Sequence, residues 1–246
     1  MEHRHTRYLE LLQTAPIPRA DWRKGEVEHV PEPERFLALE ARLIERYRHV
    51  GKPEGFGYVG LIHEDEWYVI VRDPVLFPSG TGRQPLEGAH IRVLYRGDAF
   101  GQQSLFVLAR LPDKKLLLNL SYRRPAGCWK LEGMGRITRE GETLDSALKR
   151  CVSLETGAQI LNVTPLGSAA FDRGLIGPTV PLFLVDIDTP GSTHTDPTIT
   201  GHMIMSPDEL DRAFLEGVCV LSGRAYVCND APTMAALYQA RLRGLV

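Results

Sequence analysis

Several features that would place a chain in a class at once are missing here. No apolar run approaches the roughly 18 residues of a membrane-spanning helix, and the opening MEHRHTRYLELLQ lacks the apolar core of a signal peptide. The expectation is a cytoplasmic protein with no membrane contact. Cysteine is scarce: Cys128, Cys151, Cys219 and Cys228 are widely spaced and form no CxxC pair. That argues against a zinc knuckle or a thioredoxin-type motif and for buried, reduced thiols. Neither sign of charge prevails. With 29 Lys and Arg against 31 Asp and Glu, the formal net charge is -2, so no nucleic-acid partner is expected. Internal repeats and low-complexity tracts are absent as well.

What is present is ordinary globular material. The chain has 246 residues, 43% of them hydrophobic, enough for one large domain or a medium domain with an appendage. Residues 1 to about 31 are polar and punctuated by proline, and read as an arm with one short helix in which His3 and His5 belong to a frayed terminus. PEPERFLALEARLIERYRHVG spaces Phe36, Leu39, Leu43, Ile44 and Tyr47 as a helix does, with Pro33 near its start and Gly51 past its end.

From Gly55 the period shortens to that of strands. FGYVGLI and WYVIVRD flank the polar turn HEDE and predict a hairpin. GFGYVG matches GxGxxG in form, but it enters a strand instead of leaving one for a helix, so it is not read as a dinucleotide loop. Further strands are expected at AHIRVLYRG, QSLFVLARL, KLLLNLSY and TVPLFLVDI, with the turn PDKK between the second and third of these. Ser206 and Glu209 form a capping-box start. A closing helix is capped by Asn229 or Asp230, with Pro232 in its first turn.

The most informative stretch is YRRPAGCWKLEGMGRITREGETLDSALKRCVSLETG, from Tyr122 to Gly157. It resembles the Nudix superfamily, and within it the ADP-ribose and nucleotide-sugar pyrophosphatases. Shared features are a Tyr-Arg followed by a proline, an aromatic and a Glu before a glycine turn, then Gly-Glu, a helix and Glu-Thr-Gly. The flanks extend the likeness over about residues 55 to 243. The resemblance implies an α+β Nudix fold, a mixed β-sheet sandwiched by helices (α/β/α), with an N-terminal β portion and helical arm. It implies three regions: an arm and helix over 1–54, a dimerisation-type β subdomain over 55–104 and a Nudix domain over 105–246. A homodimer is expected.

The box departs from the family pattern. Glu142, Arg150, Glu155 and Gly157 stand where it requires them, but its first and second helix glutamates fall on Cys151 and Leu154, and its initial glycine on Arg136. Family chemistry sets a divalent ion against a pyrophosphate and activates water. Mg²⁺ is hard and takes oxygen ligands; a thiol serves it poorly and Leu154 not at all. No cofactor is therefore fixed by the sequence, and the ion that the resemblance implies, Mg²⁺ or Mn²⁺, would rest on Glu155 as metal ligand. The catalytic candidates are Glu155 and Glu142, the latter implied to pair with Arg150 and hold the loop. Cys151 reads as a small filler, not as a nucleophile.

Ligand contacts are implied at Arg123, the arginine that meets the diphosphate in that subgroup, and at its neighbour Arg124. Arg136 would add positive charge, Gly135 falls where the family presents a backbone carbonyl, and Asp172 and Arg173 occupy a recognition loop. Trp67, Tyr68 and Phe77 are candidates for stacking on a base, and Trp129 reads as core. Glu132, Glu140 and Asp145 near the loop, with His194 and Asp196 downstream, could supply substitute acids or ligands. Three functions stay open. The leading one binds a nucleotide-like or phosphorylated small molecule without efficient hydrolysis. The others are a divalent-dependent nucleoside-diphosphate hydrolase with rearranged ligands and an enzyme turned to different biosynthetic chemistry.

Overall fold

A computed structural model describes residues 2–14, 17, 20–66, 68–79, 84–95, 103–170, 172, 174–175, 179–191 and 197–246. The chain divides into two compact units, residues 1–101 with 172–177 and residues 102–171 with 178–246. No helix among the described residues is long and apolar enough to cross a membrane.

In the first unit, helices α1 (His3–Thr14) and α2 (Pro33–His49) accompany a four-stranded antiparallel sheet. Its strands are β1 (Glu28–His29), β2 (Gly60–Glu64), β3 (Tyr68–Phe77) and β4 (Leu86–Tyr95). β3 pairs with β4 along its whole length, and with β1 and β2 over shorter stretches. The β2–β3 turn falls at the expected HEDE segment. Gly60 opens β2, so the GxGxxG match does enter a strand. α2 starts with Pro33 and is followed by Gly51 in the left-handed region, φ 71°.

The arm is not frayed. Tyr8 and Leu11 share one face of α1 and pack against Val69, Val71 and Leu94. His5, only 3% exposed, lies 2.9 Å from the Glu40 carboxylate. Tyr8 donates to Asp73 at 2.7 Å, and Arg92 holds the same carboxylate at 2.9 Å. A narrow apolar face on a polar helix suffices to bury it once a sheet is there to receive it.

The second unit holds β5 (Ser104–Arg110), β6 (Leu116–Arg123), β7 (Cys128–Glu132), β8 (Met134–Ile137), β9 (Ile160–Ala169), β10 (Val180–Ile187), β11 (Ile199–Met205), β12 (Val218–Leu221) and β13 (Arg224–Val227). These form one mixed sheet ordered β12-β13-β7-β6-β5-β10-β9, with β11 joined to β6 and β8 to β5. β5–β10 and β13–β7 run parallel, the other pairs antiparallel.

Its helices are α3 (Leu144–Thr156), α4 (Pro207–Glu216) and α5 (Ala231–Leu242). Leu105, Val107, Ala109, Leu117, Phe183 and Val185 pack with α3. Their strand neighbours Phe106, Leu108, Leu116, Leu118, Leu182 and Leu184 pack with α4 and α5. Both faces of these strands are covered, which is why their sequences are continuous apolar runs and do not alternate. Caps close as expected: Ser206 and Glu209 complete the capping box, and of the two proposed caps for α5 it is Asp230 that accepts from Thr233 N.

Several strands differ from the sequence reading. Ile199 and Thr200, read as part of a loop, begin β11, and β1, β7, β8 and the β12–β13 hairpin were not anticipated. β11 is half polar and gains its place only by pairing with β6.

Candidate active site

The site is built around α3. Thr143 caps its start by accepting from Ser146 N at 3.2 Å, and Gly157 ends it at φ 68°. Ala147, Leu148, Cys151, Val152 and Glu155 fall on one stripe and are all buried. The stripe that seats the helix therefore also carries Glu155, at 3% exposure, into the core face.

A buried carboxylate has to be compensated, and three segments do so. Asn119 Nδ2 on β6 donates to Oε2 at 2.6 Å. Arg136 Nε on β8 lies 3.1 Å from Oε1. One turn back along the helix, the Cys151 thiol donates to the same oxygen at 3.6 Å. His202 on β11 lies with Nε2 2.8 Å from the Glu155 carbonyl oxygen, so that nitrogen carries the proton. Asn119 and His202 are direct partners across β6 and β11. Burial pushes the Cys151 thiol up, and Glu155 reinforces the shift. Cys151 is a neutral hydrogen-bond donor.

Two further acid–arginine pairs lie in the same unit. Glu132, directly opposite Asn119 across β6 and β7, is buried, with Arg123 Nε at 3.0 Å and Nη2 at 2.6 Å from its two oxygens. Burial disfavours the charged Arg123, but the hydrogen bonds to Glu132 outweigh it and its pKa is raised. Glu142 and Arg150 form the pair that the resemblance implied. Nε and Nη2 donate at 2.8 and 2.7 Å, Nη2 also reaches the Ile137 carbonyl at 2.9 Å, and Arg139 N donates to Glu142 at 2.7 Å. The Arg150 hydrogen bonds, then that of Arg139 N, hold the Glu142 carboxyl down at about 2.

The remaining candidates divide. Gly135 and Arg136 lie in strand β8 instead of a loop, opposite Phe106 and Leu105. Arg124 is exposed in a one-turn 3₁₀ helix, Arg124–Ala126. Leu154 is half-buried, and Asp145, exposed, pairs with Lys149 at 2.7 Å. Glu140 is exposed at the loop. Trp129 packs against the apolar core, with the Arg224 guanidinium 4.2 Å over its ring. Asp172 belongs to the first unit, where it accepts from Gly174 N and Leu175 N at 2.8 and 2.9 Å in a tight turn. Tyr68 and Phe77 stand at opposite ends of β3, about 30 Å apart at strand rise, so one base cannot stack on both. Trp67, Arg173, His194 and Asp196 lie outside the described residues.

Asn119 and His202 were not among the residues singled out from the sequence. A signal existed for the first, since Asn119 is the one polar residue inside the run LLLNL. For His202 there was none, because β11 itself was not recognised. Among the described residues no group of three His, Cys, Asp or Glu side chains is arranged to hold a metal ion.

No family model and no curated protein matches the chain. Among solved structures it is similar to one described as the crystal structure of an ADP compounds hydrolase. The TM-score is 0.56 at 15% identity, over 77% of this chain and 95% of that one. A likeness at this identity is one of fold: the chain has a mixed α+β, Nudix-like fold.

Proposed function

We propose that this protein binds a nucleotide-like or phosphorylated small molecule in a Nudix-type pocket without efficient pyrophosphate hydrolysis. The observation that carries the reading is the state of Glu155. One carboxylate oxygen faces Arg136 and the Cys151 thiol, and the other accepts from Asn119. Both oxygens are committed to protein groups, with a fixed guanidinium beside the carboxylate that would have been the surviving metal ligand. A divalent ion there would have to displace Arg136 and would find a neutral thiol at Cys151 and an alkyl chain at Leu154, a donor set that does not fit Mg²⁺ or Mn²⁺.

The ligand class rests on the fold it shares with an ADP compounds hydrolase and on the arginines. Arg123 is half exposed and spends two nitrogens on Glu132; a guanidinium has five N–H groups, so donors remain for phosphate oxygens. Titration of ADP-ribose into the protein with Mg²⁺ in a calorimeter tests the proposal. A saturable isotherm without sustained heat supports it. Continuous turnover heat refutes the loss of hydrolysis, and a flat trace refutes ADP-ribose as a ligand.

A further inference from the structure

On the other face of the second unit's sheet, three sulfur-bearing side chains share one patch of the core. The β12–β13 hairpin pairs Cys219 with Tyr226, and Cys228 N donates to Gly217 O at 2.9 Å, which extends the same register by two residues. Residues two apart on a strand share a face, so Cys228 lies diagonally across the hairpin from Cys219 on the core side. The Cys228 thiol itself donates to the Tyr226 carbonyl at 3.4 Å. β11 brings the third sulfur: Cys219 Sγ lies 4.0 Å from Met203 Sδ. Tyr226 and Cys228 are buried here, and Met203 and Cys219 are partly buried against the same apolar cluster.

We infer that Met203, Cys219 and Cys228 form a site for a soft monovalent metal ion of the Cu(I) or Ag(I) type. Thiolate and thioether donors select such ions, and a thioether widens the donor set beyond the side chains usual for harder metals. Sulfurs bound at about 2.3 Å around a trigonal centre stand about 4 Å apart, the spacing of Cys219 and Met203. A structural Zn²⁺ takes four ligands, one more than this cluster supplies. On binding, each thiol gives up its proton to solvent and its sulfur pair to the ion, and no electron is transferred.

The test uses the full reduced chain, titrated anaerobically with Ag(I) and separately with Cu(I), and weighed by native mass spectrometry. One ion per chain is expected, with an added mass short by two protons. Cys219→Ser should lose that uptake and Met203→Leu, a swap of similar volume, should weaken it. Cys128→Ser and Cys151→Ser should leave it unchanged. Cys219 is the informative thiol because Cys228, 1% exposed, is the one whose replacement endangers the fold. Wild-type protein that takes up no ion stoichiometrically overturns the site, and so does a Cys219→Ser variant that binds as before. Uptake unaltered in Met203→Leu overturns the three-sulfur geometry.

Discussion

Arg136 Nε stands 3.1 Å from Glu155 Oε1, and this contact joins a position on strand β8 to the buried glutamate in the last turn of α3. A fixed cation therefore stands beside the carboxylate where an exchangeable one would otherwise be sought. The consequences can be measured.

Restoring the box carboxylates alone should not restore chemistry. Cys151→Glu with Leu154→Glu leaves Arg136 against Glu155, and the expected outcome is no gain in divalent-dependent hydrolysis of ADP-ribose. Adding Arg136→Gly should free the carboxylates and raise Mg²⁺-dependent release of AMP by about a hundredfold or more, given the several kcal/mol a metal contributes to such a transition state. Equal activity in the double and triple variants would show that Arg136 does not obstruct the site.

Asn119→Leu removes the 2.6 Å hydrogen bond to Glu155 and leaves a buried carboxylate oxygen short of a donor. A hydrogen bond to a charged group contributes about 1.5–3 kcal/mol. The urea midpoint should fall accordingly with the m-value unchanged, while Asn162→Leu, on exposed β9, should move it little.

The Glu142–Arg150 pair sets a pH dependence. Its carboxyl is depressed from 4.5 to about 2 in the folded chain. The stabilisation is therefore fully present above about pH 4.5 and is lost as pH falls through about 2. Glu142→Gln should lower thermal stability at neutral pH, and its melting curve should converge with that of the wild type as the pH approaches 2. Curves that stay parallel to pH 2 would rule out an ionic origin.

Gly133 is a position of close approach. A Cβ there would lie 2.3 Å from Phe106 Cζ and 2.9 Å from Val107 O, while Gly133 N donates to Thr233 at 2.8 Å. Gly133→Ala should cost about 1–3 kcal/mol through overpacking, read as a drop in the melting midpoint. Gly135→Ala, where a Cβ meets nothing closer than Leu105 O at 3.6 Å, should be mild by comparison.

Much of the local structure was legible beforehand because its causes are local. Ser206, Asp230 and Gly157 mark helix ends through bonds to backbone within a few residues, and Pro33 does so through its fixed φ. The runs LFVLA and VPLFLV contain no polar residue, so they had to be buried on both faces. α1 was harder to place, since HRHTRYLELLQT is polar enough to pass for an arm until Val69, Val71 and Leu94 are set beneath Tyr8 and Leu11. β11 was hidden for the same reason: its ladder partner β6 lies about 80 residues earlier in the chain.

The sequence by itself determined most helices and the long apolar strands, and the Nudix pattern it resembles would set carboxylates at Cys151 and Leu154 and glycine at Arg136, because periodicity, capping and motif spacing are properties of neighbouring residues. Only the tertiary structure decided what became of Glu155. Its partners come from β6, β8, β11 and its own helix, separated by up to 47 residues. Strand pairing, not sequence proximity, determines which donors reach a buried carboxylate.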